Sequence, residues 1–173
     1  TSKNTGGELA INYKAFESDE ASINLAYNVT YVKNRVTEVL GGAFVEGGSF
    51  AIGNPAASRM EVGQPIGYFY GLQADGIFQN QDEINVHAIQ NAAVPGDIRF
   101  VDINGDGIIN DSDRTKIGDP FPEMTIGWNV NLEFKNFDFS LFTYASLGND
   151  IYRAYERNLN YTNRFSSVLS RWT

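Results

Sequence analysis

Residues 126–141 constrain this chain most tightly. Ile126, Trp128, Val130, Leu132 and Phe134 alternate with Gly127, Asn129, Asn131 and Glu133. At Lys135-Asn136 the phase flips, and Phe137, Phe139 and Leu141 carry the apolar pattern on odd positions. Period-two alternation puts every second side chain on one face of a strand. A two-residue turn at Lys135-Asn136 explains the flip, with Asn136 the residue suited to positive φ. It pairs Phe134 with Phe137, Leu132 with Phe139 and Val130 with Leu141 on one face. The other face pairs Asn131 with Ser140 and Glu133 with Asp138. Facing carboxylates repel, so that end is wet or has a basic neighbour.

A second hairpin is expected over 9–40. Leu9, Ile11, Tyr13 and Ala15 alternate, Glu17-Ser18-Asp19-Glu20 is a polar turn, and Ile23, Leu25, Tyr27, Val29 and Tyr31 continue the pattern past Val36. That run exceeds the usual soluble strand of about five or six residues. Two architectures use such a two-faced sheet. In a soluble sandwich the apolar face packs on a second sheet. In an outer-membrane barrel it faces lipid. From pattern alone the sandwich leads, because soluble β domains are common.

Composition removes several function classes. The 173 residues carry 13 Lys+Arg against 21 Asp+Glu, a net charge of −8, which repels nucleic-acid phosphate. No cysteine is present, so thiol catalysis and Cys-based zinc sites are excluded. His87 is the single histidine, a poor basis for a Ser-His-Asp triad or a His-rich metal site. No apolar stretch reaches the roughly 20 residues of a spanning helix, which a β-barrel does not need. Thr1-Ser2-Lys3-Asn4 has no signal-peptide pattern and no initiating Met, and the chain reads as a piece of something longer.

The middle, 41–124, reads mostly as loop, punctuated by Gly41-Gly42, Gly47-Gly48, Pro95-Gly96 and Pro120-Phe121-Pro122. Asn80 is suited to cap a short helix over 81–92, with Glu83 at the capping-box position and Ile84, Ala88 and Ile89 as a narrow apolar face. His87 on that helix is a surface or packing residue.

One motif carries chemistry. Asp102, Asn104 and Asp106 stand at positions 1, 3 and 5 of a calcium-type loop, and Gly107 permits the turn at position 6. Ile108 offers a carbonyl at 7, Asn110 a side chain or a water at 9, and Asp113 closes the loop at 12. A hard cation such as Ca²⁺ needs this convergence of oxygens. Asp in place of Glu at position 12 has a shorter arm, which weakens bidentate binding. The strand-like Gly96–Val101 before the loop, and Gly118 and Pro120 after it, argue against an EF-hand domain. A metal-free series of Asx turns is the simpler alternative. No P-loop, nucleophile elbow or dinucleotide fingerprint accompanies it, so the chain is not read as an enzyme. Trp128, Trp172 and the tyrosines fit sugar stacking, core packing or an interfacial girdle equally well.

The order of several blocks adds to this. Gly63-Gln-Pro-Ile-Gly-Tyr-Phe-Tyr-Gly71, Asp75-Gly-Ile-Phe78, Pro95-Gly-Asp-Ile-Arg-Phe100, Asp102-Ile-Asn-Gly-Asp-Gly107, Ile117-Gly-Asp-Pro120 and Gly148-Asn-Asp-Ile-Tyr152 follow one another. In that order they resemble the C-terminal barrel region of SusC/RagA-type TonB-linked outer-membrane proteins. Lys33-Asn34-Arg35-Val36 and Arg171-Trp172-Thr173 also resemble family blocks. The resemblance covers about 9–173. It implies an all-β fragment of a transmembrane barrel of about 22 strands, with an extracellular loop holding the short helix and the calcium-like loop. It further implies a bacterial outer-membrane location and TonB-driven import of oligosaccharides, glycans or peptides. A SusD-like surface lipoprotein would act as lid. If both short turns are periplasmic, 41–124 holds zero or two membrane crossings, with 58–70 the place for a pair. The rival expectation is a soluble, calcium-stabilised β module that binds surface carbohydrate. A carbohydrate hydrolase ranks third.

Overall fold

The computed structural model describes residues 1–48 and 56–153 together with Ser166. The block Arg171-Trp172-Thr173 lies outside the described residues. In chain order the elements are β1 (Ser2–Glu17), β2 (Ala21–Val36), β3 (Phe44–Gly47), β4 (Ser58–Glu61), β5 (Tyr68–Leu72), β6 (Ala74–Ile77), α1 (Gln81–Val86), β7 (Ile98–Phe100), a 3₁₀ turn (Asp111–Asp113), β8 (Arg114–Gly118), β9 (Met124–Phe134) and β10 (Phe137–Leu147). They divide into two compact units.

The first unit is a four-stranded antiparallel sheet in the order β1-β2-β9-β10. Both expected hairpins are present, with Phe134 opposite Phe137 and a turn at 135–136. The residue with positive φ in that turn is Lys135, at 53°, and not Asn136. Lys135 is also tied to the neighbouring turn, where its N–H donates to the Glu20 carbonyl at 2.7 Å and its ammonium lies 3.4 Å from the Glu20 carboxylate. The facing Glu133 and Asp138 are both exposed, and Ser22 Oγ donates to Glu133 Oε2 at 3.0 Å. That end is therefore wet, without a basic neighbour in contact.

β2 pairs directly with β9, from Ala21 opposite Phe134 to Tyr31 opposite Met124. The whole stretch between them is thus an insertion between adjacent strands. A crossing pair at 58–70 is not found. β4 and β5 have 4 and 5 residues, too short for the 9–11 that a spanning strand needs.

The second unit is built mainly from the insertion, with Tyr68–Gly118 as its longest stretch, while Met60–Gly67 belongs to the first unit. β4, β5 and β8 run side by side in an antiparallel sheet, and β6 and β7 form a two-stranded ribbon. Tyr68, Phe69 and Phe78 are its buried apolar residues. The short strands within this mostly irregular stretch, three to five residues long, are too short to show alternation in the sequence. Asn80 caps α1 as expected, accepting from Glu83 N–H at 2.9 Å, while the Glu83 carboxylate reaches past the cap to Gln79 N–H at 3.0 Å. The helix ends at Val86 rather than at 92. The cause is a competing pairing: Ile89 N–H donates to the Gly107 carbonyl at 2.8 Å, and Ile109 N–H donates to the Ile89 carbonyl at 3.0 Å. Ala88 and Ile89 therefore leave the helical face, and Ile89 is largely exposed. His87 packs edge-on against fully buried Phe78, with ring centroids 5.2 Å apart.

Candidate functional site

The acidic loop is braced from within. Both carboxylate oxygens of Asp102 accept main-chain N–H groups, from Gly105 at 2.7 Å and from Gly107 at 2.8 Å. Asn104 Oδ1 accepts from Asp106 N–H at 2.9 Å, and Asp106 Oδ1 accepts from Ile108 N–H at 2.8 Å. Gly105 and Gly107 both sit at positive φ, 74° and 83°, a region that favours glycine. Asn110 caps the 3₁₀ turn, accepting from Ser112 N–H at 2.8 Å, and its amide donates to the Ile108 carbonyl at 3.1 Å. These are successive Asx turns, each satisfying a main-chain donor that a loop would otherwise leave open.

Asp113 differs from the others. It is fully buried, and its carboxylate accepts from Asn110 N–H at 2.8 Å, Ile103 N–H at 3.0 Å and Asn104 N–H at 3.5 Å. The Asn110 donor leads in holding its pKa below the ordinary carboxylate range; the Ile103 and Asn104 donors add to this, against desolvation. Asp113 thereby ties the two ends of the loop together. Among the described residues no three His, Cys, Asp or Glu side chains converge as a metal-ligating group. Of the six expected ligands, Asp102, Asn104, Asp106, Asn110 and Asp113 all accept main-chain N–H groups, and the Ile108 carbonyl accepts from the Asn110 amide.

Elsewhere in this unit, two arginines do work that the sequence reading did not single out. The Arg59 guanidinium lies 3.5 Å from the Tyr70 ring centroid and 3.2 Å from the Glu46 carboxylate. Arg99 joins Asp75 at 2.7 Å and Glu83 at 3.6 Å, linking the β6–β7 ribbon to α1. Their signal in the sequence was weak, since the nearest partner, Tyr70, is 11 residues from Arg59 and the others lie farther off.

The sheet of the first unit has two unlike faces. Its register aligns side chains in rows across β1, β2, β9 and β10: Phe16, Ile23, Leu132, Phe139; then Tyr13, Leu25, Val130, Leu141; then Ile11, Tyr27, Trp128, Thr143; then Leu9, Val29, Ile126, Ala145. Many of these are open to solvent, among them Tyr13 at 60% and Phe139 at 57%. Among the described residues of this unit only Val36 is a buried apolar residue. Trp128 sits within this face near the middle of β9 and is itself exposed, so it is not a core residue of this unit. The opposite face carries Asn12, Asn24, Asn28, Asn129, Asn131 and Ser140, with Phe142 and Tyr144 as two exposed aromatics among them. A Cβ at Gly127 would meet the end of the Asn28 side chain, which would have to shift.

A soluble sandwich would cover its apolar face with a second layer. This unit presents it instead, as a barrel wall does to lipid. Comparison with known proteins agrees. The chain is 29% identical over 99% of its length to TonB-dependent receptor P26 of Formosa agariphila. It is 30% identical over 87% of its length to TonB-dependent receptor SusC of Bacteroides thetaiotaomicron. The chain is homologous to the SusC-type TonB-dependent receptors. It spans 18% of the length of the first relative and 14% of the second. In fold it resembles part of the RagAB peptide transporter, with a TM-score of 0.60 and 16% identity over 85% of this chain and 15% of that one. A second structure, of the RagAB peptide importer in its open-open state, gives a TM-score of 0.57. No protein-family profile matches the chain. The relatives bear the names of receptors, and none is named as an enzyme.

Proposed function

We propose that this chain forms part of the barrel wall and an external loop of an outer-membrane transporter. The observation that carries this is the exposed apolar face of β1-β2-β9-β10 backed by a polar face. Its dimensions suit a bilayer. The Phe134–Phe137 row and the Met124–Tyr31 row lie at opposite ends of β9, about 33 Å apart along the strand. At a tilt of about 40° this is roughly 25 Å of membrane thickness, the height of the apolar band of such barrels. Aromatics stand at both ends, Phe16, Phe134 and Phe137 near the turns and Tyr31 opposite Met124, while Tyr27 and Trp128 lie near mid-strand.

In this reading the short turns at 18–20 and 135–136 are periplasmic and the second unit is external. Asn24, Asn129 and Asn131, with Phe142 and Tyr144, face the lumen, a surface suited to polar oligosaccharides or peptides. Import would use TonB energy and a SusD-like lid lipoprotein, and the second unit is the part of this chain placed to meet that lid. Calcium remains a proposal for the outward side of the acidic loop, through Asp102, Asn104, Asp106 and the Ile108 carbonyl. There it would stiffen a loop already braced by Asp113 and lower the ordering cost of binding. A soluble carbohydrate-binding module would need the apolar face covered, and nothing in the first unit covers it.

The test is made on the intact protein in its native cell, tagged and extracted from the outer membrane with detergent. Recovery from that membrane with a surface lipoprotein, at a length several times that of this chain, is the expected result. Recovery only from the soluble fraction, alone and near this length, would sink the proposal.

A further inference from the structure

We propose that Lys3, Lys33 and Arg35 form a binding site for the phosphate of an anionic outer-leaflet lipid. The proposal rests on the barrel-wall reading above. β1 and β2 continue beyond the apolar rows, and the register puts Lys3 opposite Arg35 and Thr5 opposite Lys33. All four occupy odd positions, the parity of Leu9, Ile11, Val29 and Tyr31, so they extend the lipid-facing side and not the lumen side. The order along β2 is therefore Val29, Tyr31, Lys33, Arg35: an apolar residue, an aromatic, then two cations. A lipid presents the same sequence of chemistry from tail to headgroup.

The chain as a whole carries a net charge of −8, yet this patch gathers three cations. None of them makes an ion pair among the described residues, whereas Lys14, Arg59, Arg99, Arg114 and Lys135 all do. They line a cavity of about 460 Å³ with Thr5, Val36, Thr37, Val62 and Gly63, and its surface as a whole is mostly apolar. A planar guanidinium binds phosphate through two parallel N–H donors, and the lysine stems lie along apolar surface while their ammonium groups reach the headgroup level. Thr5 adds a hydroxyl donor. This combination suits a phosphate joined to an apolar tail better than a free, fully hydrated anion.

The experiment uses the full-length protein that carries this sequence, folded in neutral detergent. Thermal melting is followed with dihexanoyl phosphatidic acid, dihexanoyl phosphatidylcholine or inorganic phosphate. The expected result is a saturable rise in melting temperature with phosphatidic acid only. In Lys3→Gln/Lys33→Gln/Arg35→Gln, the apparent affinity should fall about a hundredfold. A charge-matched variant, Lys14→Gln/Lys116→Gln/Lys135→Gln, should keep it. Heat-modifiable migration on gels confirms that each variant is folded. Should the triple variant fail that check, Arg35→Lys decides, since it keeps the charge and loses the fork; a several-fold weakening is expected. An equal response in wild type and variant, or an equal response to inorganic phosphate, overturns the lipid site. A wild-type protein absent from the membrane fraction overturns the barrel-wall reading itself, and the two failures are thereby distinguished.

Discussion

The two units reach order by opposite means. The sheet of the first has long strands, up to 16 residues each, whose register is interrupted only by a bulge between Lys14 and Phe16, and almost no buried apolar side chain. The inserted unit has strands of five residues or fewer, a buried Phe78 and a buried carboxylate. In the sheet, ladder hydrogen bonds satisfy the main chain, and the apolar face is left exposed. In the insertion, side chains satisfy the main chain. Asn80, Asp102, Asn104, Asp106, Asn110 and Asp113 all accept backbone N–H groups there. Without a ladder, each such donor would lack a partner, and that is costly when buried.

This contrast can be broken at its strongest point first. Phe78→Ala empties the centre of the inserted unit and should cost about 3–5 kcal/mol there. Amide exchange should quicken across 74–100 while β9 and β10 keep their protection. Loss of protection in both units together would show that they are not separate.

Next in size is the lipid face. Val130→Arg should cost about 2–4 kcal/mol in a bilayer, whereas Asn131→Arg on the other face should cost well under 1 kcal/mol. Folding titrations into vesicles measure both. Equal costs on the two faces would end the case for a membrane-facing side.

The smallest effect sharpens the picture of the acidic loop. The Asp113 carboxylate titrates below its ordinary range in the folded chain, so its contribution is fully present above the unfolded value, near 4. It is lost as pH falls through the depressed folded value. Exchange at Ile103, Asn104 and Asn110 should therefore rise only in strong acid. In Asp113→Asn the same amides should exchange faster at neutral pH as well.

Much of the first unit was legible in the sequence. The phase flip at Lys135-Asn136 located a turn and set the register of β9 on β10, because a two-residue turn leaves one pairing that keeps both apolar runs on one face. The polar stretch 17–20 located the turn between β1 and β2 but not their register, which shifts at a bulge between Lys14 and Phe16. Which turn residue takes positive φ was not legible, since Lys135 is held there by Glu20 on the adjacent hairpin. The helix start at Asn80 was readable because capping is local. Its end was not, because a pairing of Ile89 with residues 107–109 decides it. The acidic loop was recognised by spacing, but the burial of Asp113 depends on how the chain folds back on itself.

What the sequence determined by itself is everything that depends on neighbours within a few positions: strand alternation, turn sites, the cap at Asn80 and the run of Asx turns. The tertiary structure decided what depends on distant partners. It placed β2 beside β9 and made 37–123 an insertion between them. It turned Asp113 inward and set Lys3 beside Lys33 and Arg35. The reason is physical. Local geometry follows from covalent sterics and short-range hydrogen bonds, whereas pairing across some ninety residues is chosen by which arrangement leaves the fewest polar groups unsatisfied and one apolar face continuous.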